Sequence, residues 1–169
     1  MGELHVYYFD EAGFTLTPSV PYAWQPIGQT RPLPCTSSRR INVLGFMNKA
    51  NRSFFHSVIG PVNSNTVIAA FDQFSESLDA STLTLVFVDN ASMHHSEAFK
   101  ARRKYWMSCG VVVGYLSTYS PELNLIEILW RKIKYEWLPW TAYESFTALK
   151  QALGEILDAF GQKYQITFA

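Results

Sequence analysis

Apolar residues come in short bursts along this chain, and their spacing changes from one burst to the next. Residues 4–9, Leu4-His5-Val6-Tyr7-Tyr8-Phe9, are mostly apolar or aromatic, which predicts a strand covered on both faces and closing at Asp10. Ile41–Met47 and Ser53–Ile59 are strand-like too, and the polar residues 48–52 between them predict a turn, so the pair reads as a hairpin. Beyond Gly60-Pro61, Val67, Ile68, Phe71, Phe74 and Leu78 recur at helical spacing, with Asn63 or Ser64 as the cap. Leu83–Val88 is a further buried strand, ending at Asp89. A charged helical pattern over 96–106, a short apolar strand Val111–Tyr115 and two helices near 124–137 and 142–160 complete the chain. Residues 17–38 hold Pro18, Pro21, Pro26, Pro32 and Pro34 with Gly28, which forbids regular structure and predicts a long loop.

Strand, hairpin, helix, strand, helix, strand, helix is the order of a mixed α/β sheet, with an antiparallel hairpin and parallel strands joined by crossover helices. Ligands of such sheets gather at the carboxyl ends of the parallel strands. Asp10 and Asp89 stand at such ends, so parallel neighbouring strands would point both carboxylates into one crevice.

Composition narrows the picture. With 169 residues, 48% of them hydrophobic and 15% aromatic, the chain reads as one domain over 1–169 with a substantial core. A formal net charge of zero gives no global pull toward a polyanion, so any nucleic-acid contact must come from local clusters among the 14 Lys and Arg. Cys35 and Cys109 lack CxxC or Cys/His spacing, which argues against zinc and fits reduced thiols. No apolar run reaches the ~18 residues of a membrane span, and the first residues lack a signal peptide's pattern. A soluble, cytoplasmic protein with no membrane partner is expected.

The candidate chemistry is acidic. A charge leaving water costs several kcal/mol unless a cation or donors compensate it, so two carboxylates at buried strand ends invite a divalent ion. All-oxygen ligands suit Mg²⁺ or Mn²⁺, and a pair of such ions suits phosphoryl transfer. The alternative is a turn at residues 10–13 and an Asx-turn from Asp89 into Asn90. Glu127 has two readings as well: a third ligand, or the N3 member of a capping box begun by Asn124, facing Arg131 one turn on.

Three ordered motifs then carry a resemblance. Asp10-Glu11-Ala12-Gly13-Phe14, Asp89-Asn90-Ala91-Ser92-Met93-His94, and residues 119–127 ending Asn124-Leu125-Ile126-Glu127, with Trp130 and Lys134, resemble the catalytic core of DDE transposases. The branch they look most like is that of bacterial insertion-sequence enzymes related to mariner elements. The resemblance implies a ribonuclease-H-like fold, a triad of Asp10, Asp89 and Glu127 holding two Mg²⁺ or Mn²⁺ ions, cleavage of DNA at transposon ends, and joining of the 3′-hydroxyl to target DNA. It implies a DNA or partner-subunit contact for the loop carrying Trp24, whose other reading is an apolar lid. It also implies a substrate contact for His94, whose other reading is a helix cap. Departures from the family pattern are Leu125 and Ser117, where prolines are common, and a first strand that begins almost at Met1, where relatives carry a helix-turn-helix region.

Phosphate contacts are then expected at Lys100, Arg102, Arg103 and Lys104, at Arg39, Arg40, Lys49 and Arg52 around the hairpin, and at Arg131 and Lys134 after Glu127. A solvated helix over 96–106 is the alternative there. No base-reading motif is present, so poor intrinsic sequence specificity is expected. The chain reads as a catalytic domain alone, as a truncated copy, an excised fragment, or one product of a split reading frame partnered by a separate N-terminal DNA-binding polypeptide, and a homodimer is a further expected partner arrangement. A catalytically silent assembly remnant and a ribonuclease-H-like nuclease acting on RNA hybrids are the competing functions.

Overall fold

One strand serves two partners at different heights, and that offset shapes the molecule. The computed structural model describes residues 4–19, 27–28, 39–79, 81–117 and 123–168. Its first strand, β1, runs Leu4–Phe14, past the expected end at Asp10. The reason is pairing: the parallel strand β4 (Leu83–Val88) covers β1 only from Leu4 to Tyr8, whereas the antiparallel strand β2 (Ile41–Met47) covers it from Tyr8 to Phe14. The turn considered at residues 10–13 is therefore replaced by strand.

The hairpin forms as expected, β2 pairing antiparallel with β3 (Ser53–Ile59), and β5 (Val111–Tyr115) pairs parallel with β4. The sheet order is β3-β2-β1-β4-β5. Helix α1 (Ser64–Glu76) is capped by Asn63, whose side chain accepts from the Thr66 amide at 3.1 Å. Helix α2 (Glu97–Ser108) is capped by Ser96 in the same way. Both cover one face, where Phe9, Phe46, Phe71, Phe74, Phe99 and Trp106 form an aromatic core, with Phe46 stacked on Phe74 at 4.1 Å. Burying such rings contributes about 1.5–3 kcal/mol each, which anchors this half of the sheet.

The other face carries α3 (Ile126–Lys132) and α4 (Phe146–Asp158) over Ala12, Phe14, Val43 and Met47. The two helices expected near 124–137 and 142–160 are each shorter and joined differently. After α3 the chain widens into a π turn, Ile133–Trp137, closed by Leu138 donating to the Ile133 carbonyl at 3.0 Å. A 3-10 turn, Trp140–Glu144, follows Pro139, and Ser145 then caps α4 through the Ala148 amide.

Helix α3 reaches the sheet at Gly45, the β2 residue paired with Asp10. A Cβ there would stand 2.7 Å from Trp130 Cη2 and 2.9 Å from Ile126 Cδ1, too close for either ring or methyl to stay. Gly45→Ala should destabilise the fold by about 1–3 kcal/mol, the usual cost of overpacking, read as a lower urea midpoint with an unchanged slope. A midpoint equal to wild type would show that α3 is not seated on this glycine.

Candidate active site

Strand alternation decides which way each acid faces. Tyr8, Ala12 and Phe14 pack on the α3/α4 face and Tyr7 and Phe9 on the α1/α2 face, so Asp10 faces α3 and Glu11 faces the other way. The last β1–β4 pair is Tyr8 with Phe87, whose rings stack at 5.9 Å. Two residues beyond that pair stand Asp10, still within β1, and Asp89, just past the end of β4, where the ladder has stopped. The two are close enough that the charge of Asp89 raises the pKa of Asp10.

Glu127 arrives through α3. It lies in the helix's first turn, and the residue ahead of that turn, Asn124, is buried with its Nδ2 donating to the Phe9 carbonyl at 3.1 Å. Leu125 holds the N-cap position and no side chain caps α3, so the expected capping box from Asn124 to Glu127 does not form. Asn124 instead ties the start of α3 to the backbone just before Asp10. No pattern in the sequence separates these two uses of an asparagine, because both need a short amide side chain ahead of a helix.

Electrostatics bind the three acids into one neighbourhood. The Asp10 carboxyl is pushed up to about 7, chiefly by burial and further by the charges of Asp89, Glu127 and Glu11, against a backbone hydrogen bond from Glu11. Asp89 is held below the usual carboxylate range by the hydrogen bond from His94 and by the Ala91 amide. Its Oδ1 lies 2.8 Å from His94 Nδ1 and accepts from Ala91 N at 3.0 Å. The Asx-turn and the ligand reading of Asp89 are thus compatible, since both donors use one oxygen. Among the described residues no three His, Cys, Asp or Glu side chains are gathered at metal-ligating distance. The donor set nevertheless suits a hard cation: all-oxygen, partly desolvated, and mutually repelling until positive charge is supplied.

Around this crevice the expected DNA contacts separate. Lys134 is half-buried, its Nζ 5.4 Å from the Phe14 ring centroid; burial and Arg40 lower its pKa while Asp10 opposes them. Arg40 lies across Gly13, where a Cβ would stand, and with Arg39, Asn42 and Glu11 lines a cavity of about 570 Å³. Arg39 stacks over Phe146 at 4.1 Å. Arg131 is exposed, on the turn after Glu127. Lys49 and Arg52 instead sit at the hairpin turn; Lys49 lies beside the first residues of β1 and Arg52 near Tyr7, at the sheet's other end.

The α2 cluster is largely used inside the protein. Arg102 makes a two-pronged pair with Asp72 at 2.9 and 3.0 Å, Arg103 donates to the Val113 carbonyl, and Lys100 pairs with Glu97. Lys104 is exposed. His94 is 3% exposed and packs between Phe9 and Phe99, so burial removes it from the surface that DNA could touch. Trp24 lies outside the described residues. Glu11, quoted in the first motif without a role, is a further acid of the site: burial raises its pKa, and among the described residues its buried Oε2 has no hydrogen-bond partner.

A pH prediction follows from Asp10. Its folded pKa of about 7 stands above the ordinary 3.8, so the folded protein keeps a proton that the unfolded chain releases between those values. Stability without metal should therefore fall as pH rises through that window. Urea denaturation in EDTA should show the wild type gaining about 2 kcal/mol over Asp10→Asn on going from pH 7.5 to 5.5. Parallel pH profiles for the two proteins would refute the raised value. The Asp89 shift contributes only below its ordinary range, outside this interval.

The family model described as DDE superfamily endonuclease matches residues 5–150. Solved structures with a similar fold include the Mos1 transposase paired-end complex with the left transposon end, at 16% identity and a TM-score of 0.69 over 92% of this chain and 48% of that one. The Mos1 strand transfer complex matches at 16% and 0.67, covering 92% and 47%. The Mos1 mariner paired end complex with Mn matches at 15% and 0.66, covering 92% and 48%. This chain thus spans about half the length of those transposases. No curated protein sequence matches it. Among the described residues no helix is long and apolar enough to cross a membrane. The fold is ribonuclease-H-like, and the chain belongs to the DDE superfamily endonuclease family.

Proposed function

We propose that this chain is the catalytic domain of a DNA transposase, cutting strands at transposon ends and joining the freed 3′-hydroxyl to target DNA. The observation that carries the reading is the placement of Asp10 on β1 opposite Gly45, past the end of the β4 ladder and under α3, where burial and the charges of Asp89 and Glu127 raise its pKa. Such an arrangement is costly empty and is relieved by divalent cations, two Mg²⁺ or Mn²⁺ on Asp10, Asp89 and Glu127. When bound, these ions would supply an activated water or hydroxyl and stabilisation of the leaving oxygen. The chain's own groups do the rest. Lys134, beside Asp10, offers a cation to the scissile phosphate, Arg39 and Arg40 line a neighbouring cavity that suits a flanking strand, and Arg131 is exposed one turn after Glu127 for a further phosphate contact. Lys49, Arg52, Lys100 and Lys104 remain candidates for weaker backbone contacts farther out.

The finer assignments rest on the motifs. The likeness of the Asp10, Asp89 and Glu127 motifs to those of bacterial insertion-sequence enzymes supports our assignment to that branch and to the cytoplasm. The whole of residues 1–169 reads as one catalytic domain. Zero net charge and the lack of a base-reading motif leave recognition of the ends to a separate N-terminal DNA-binding polypeptide. A homodimer, one copy per end, is the arrangement we assign to it.

Nicking of supercoiled DNA in Mn²⁺ should be lost by about a thousandfold or more in Asp10→Asn, Asp89→Asn and Glu127→Gln. The same millimolar Mn²⁺ should raise the melting temperature of wild type but not of Asp89→Asn, because metal bound to the folded state alone adds stability by mass action. Undiminished nicking by Glu127→Gln would exclude this site, and cleavage of an RNA–DNA hybrid in preference to DNA would reassign the chain to the hybrid-cutting nucleases.

A further inference from the structure

His94 is the best-buried ionisable side chain near the crevice, and its chemistry is unbalanced. The ring is 3% exposed, in contact with Phe9 and Phe99, yet among the described residues its buried Nε2 has no hydrogen-bond partner. An unsatisfied buried nitrogen costs about 1–3 kcal/mol, so for packing alone a phenylalanine would serve better. What the imidazole has that a phenyl ring lacks is Nδ1. That atom lies 2.8 Å from Asp89 Oδ1 and 3.1 Å from the Asp89 carbonyl oxygen. A carbonyl oxygen can only accept, so Nδ1 carries the proton and donates.

The consequence falls on Asp89. Its Oδ1 receives both the His94 donor and the Ala91 amide, which fixes the carboxylate's rotation and directs the remaining oxygen, Oδ2, to other use. His94 is itself fixed, because Tyr115 at the end of β5 donates its hydroxyl to the His94 carbonyl at 2.7 Å. Asn90 donates to the Leu116 carbonyl at 2.6 Å, so the segment after β4 is tied to β5 twice. We propose that His94 is a positioning residue that anchors Asp89 through Oδ1 so that Oδ2 is presented to a divalent cation shared with Asp10; this rests on the metal-site reading above.

The test separates packing from hydrogen bonding. His94→Phe keeps a ring between Phe9 and Phe99 and deletes the donor; His94→Asn keeps an N–H donor near the Nδ1 position and deletes the ring. Titration calorimetry with Mn²⁺ and melting in EDTA should dissociate the two. His94→Phe should melt near wild type and bind Mn²⁺ about 10–100-fold more weakly, the usual effect of losing a ligand's outer hydrogen bond. His94→Asn should melt lower and bind Mn²⁺ within a few-fold of wild type. Wild-type affinity in His94→Phe, or an affinity loss that simply follows melting temperature across both variants, overturns the proposal. Long-range ¹H–¹⁵N NMR of metal-free wild type provides a check free of mutants: a proton on Nδ1 supports it and an unprotonated Nδ1 overturns it. If wild type takes up no Mn²⁺, or Asp89→Asn takes up as much, the metal-site reading fails first and the proposal with it.

Discussion

An acid on a central strand, with sheet on one side of it and a helix above, is the constraint around which this protein is arranged. Asp10 cannot be solvated like a surface carboxylate, because β2 pairs alongside it and α3 lies over its face. What relieves it is the end of β4. That strand stops pairing two residues before Asp10, so the sheet opens on one side just where the charge sits. The same opening admits Asp89, which therefore adds repulsion as well as a ligand. A site of this kind is stable only as a compromise between a proton, a cation and neighbouring donors, and such perturbed acids are characteristic of chemistry rather than of packing.

The helix above the crevice is held by contacts that have no chemical role of their own. Gly45 leaves room for Ile126 and Trp130 to touch the sheet, and Asn124 hooks the start of α3 to the Phe9 carbonyl. Between them they fix the turn that carries Glu127. The π turn that follows widens the helix at the point where Lys134 comes down beside Phe14 and Asp10. Wide turns of this type often occur at functional positions, since the extra residue re-aims a side chain without breaking the helix.

Much of this was legible in the sequence, and the parts that were not share a physical cause. The hairpin, the cap at Asn63, β4, β5 and the crossover helices follow from local periodicity and capping chemistry, which neighbouring residues settle among themselves. The continuation of β1 to Phe14 does not: residues 10–13 have turn composition, and only pairing with β2 overrides it. Likewise the α2 cations look like a DNA-facing cluster until Asp72, thirty residues earlier in the chain, is seen to neutralise Arg102. Asn124 and His94 were visible as polar residues near motifs, but whether such a group caps a helix, meets a ligand or braces an acid depends on a partner brought by the fold.

Alternation along β1 gives the two consecutive acids different work. Asp10 faces α3 and meets Asp89 and Glu127; Glu11 faces the aromatic core side, where His94 and Arg40 lower its pKa against the larger effect of burial. Asp89, beyond the end of its strand, is felt by both. Its Oδ1 is engaged by His94 from the aromatic side, while its charge is felt by Asp10 on the other face. A carboxylate so placed converts the rigidity of the Phe9, Phe71 and Phe99 packing into orientation at the crevice, since displacing the His94 ring would require moving that core. Dense packing resists such movement, and that resistance is what a site requiring accurately placed oxygens draws upon.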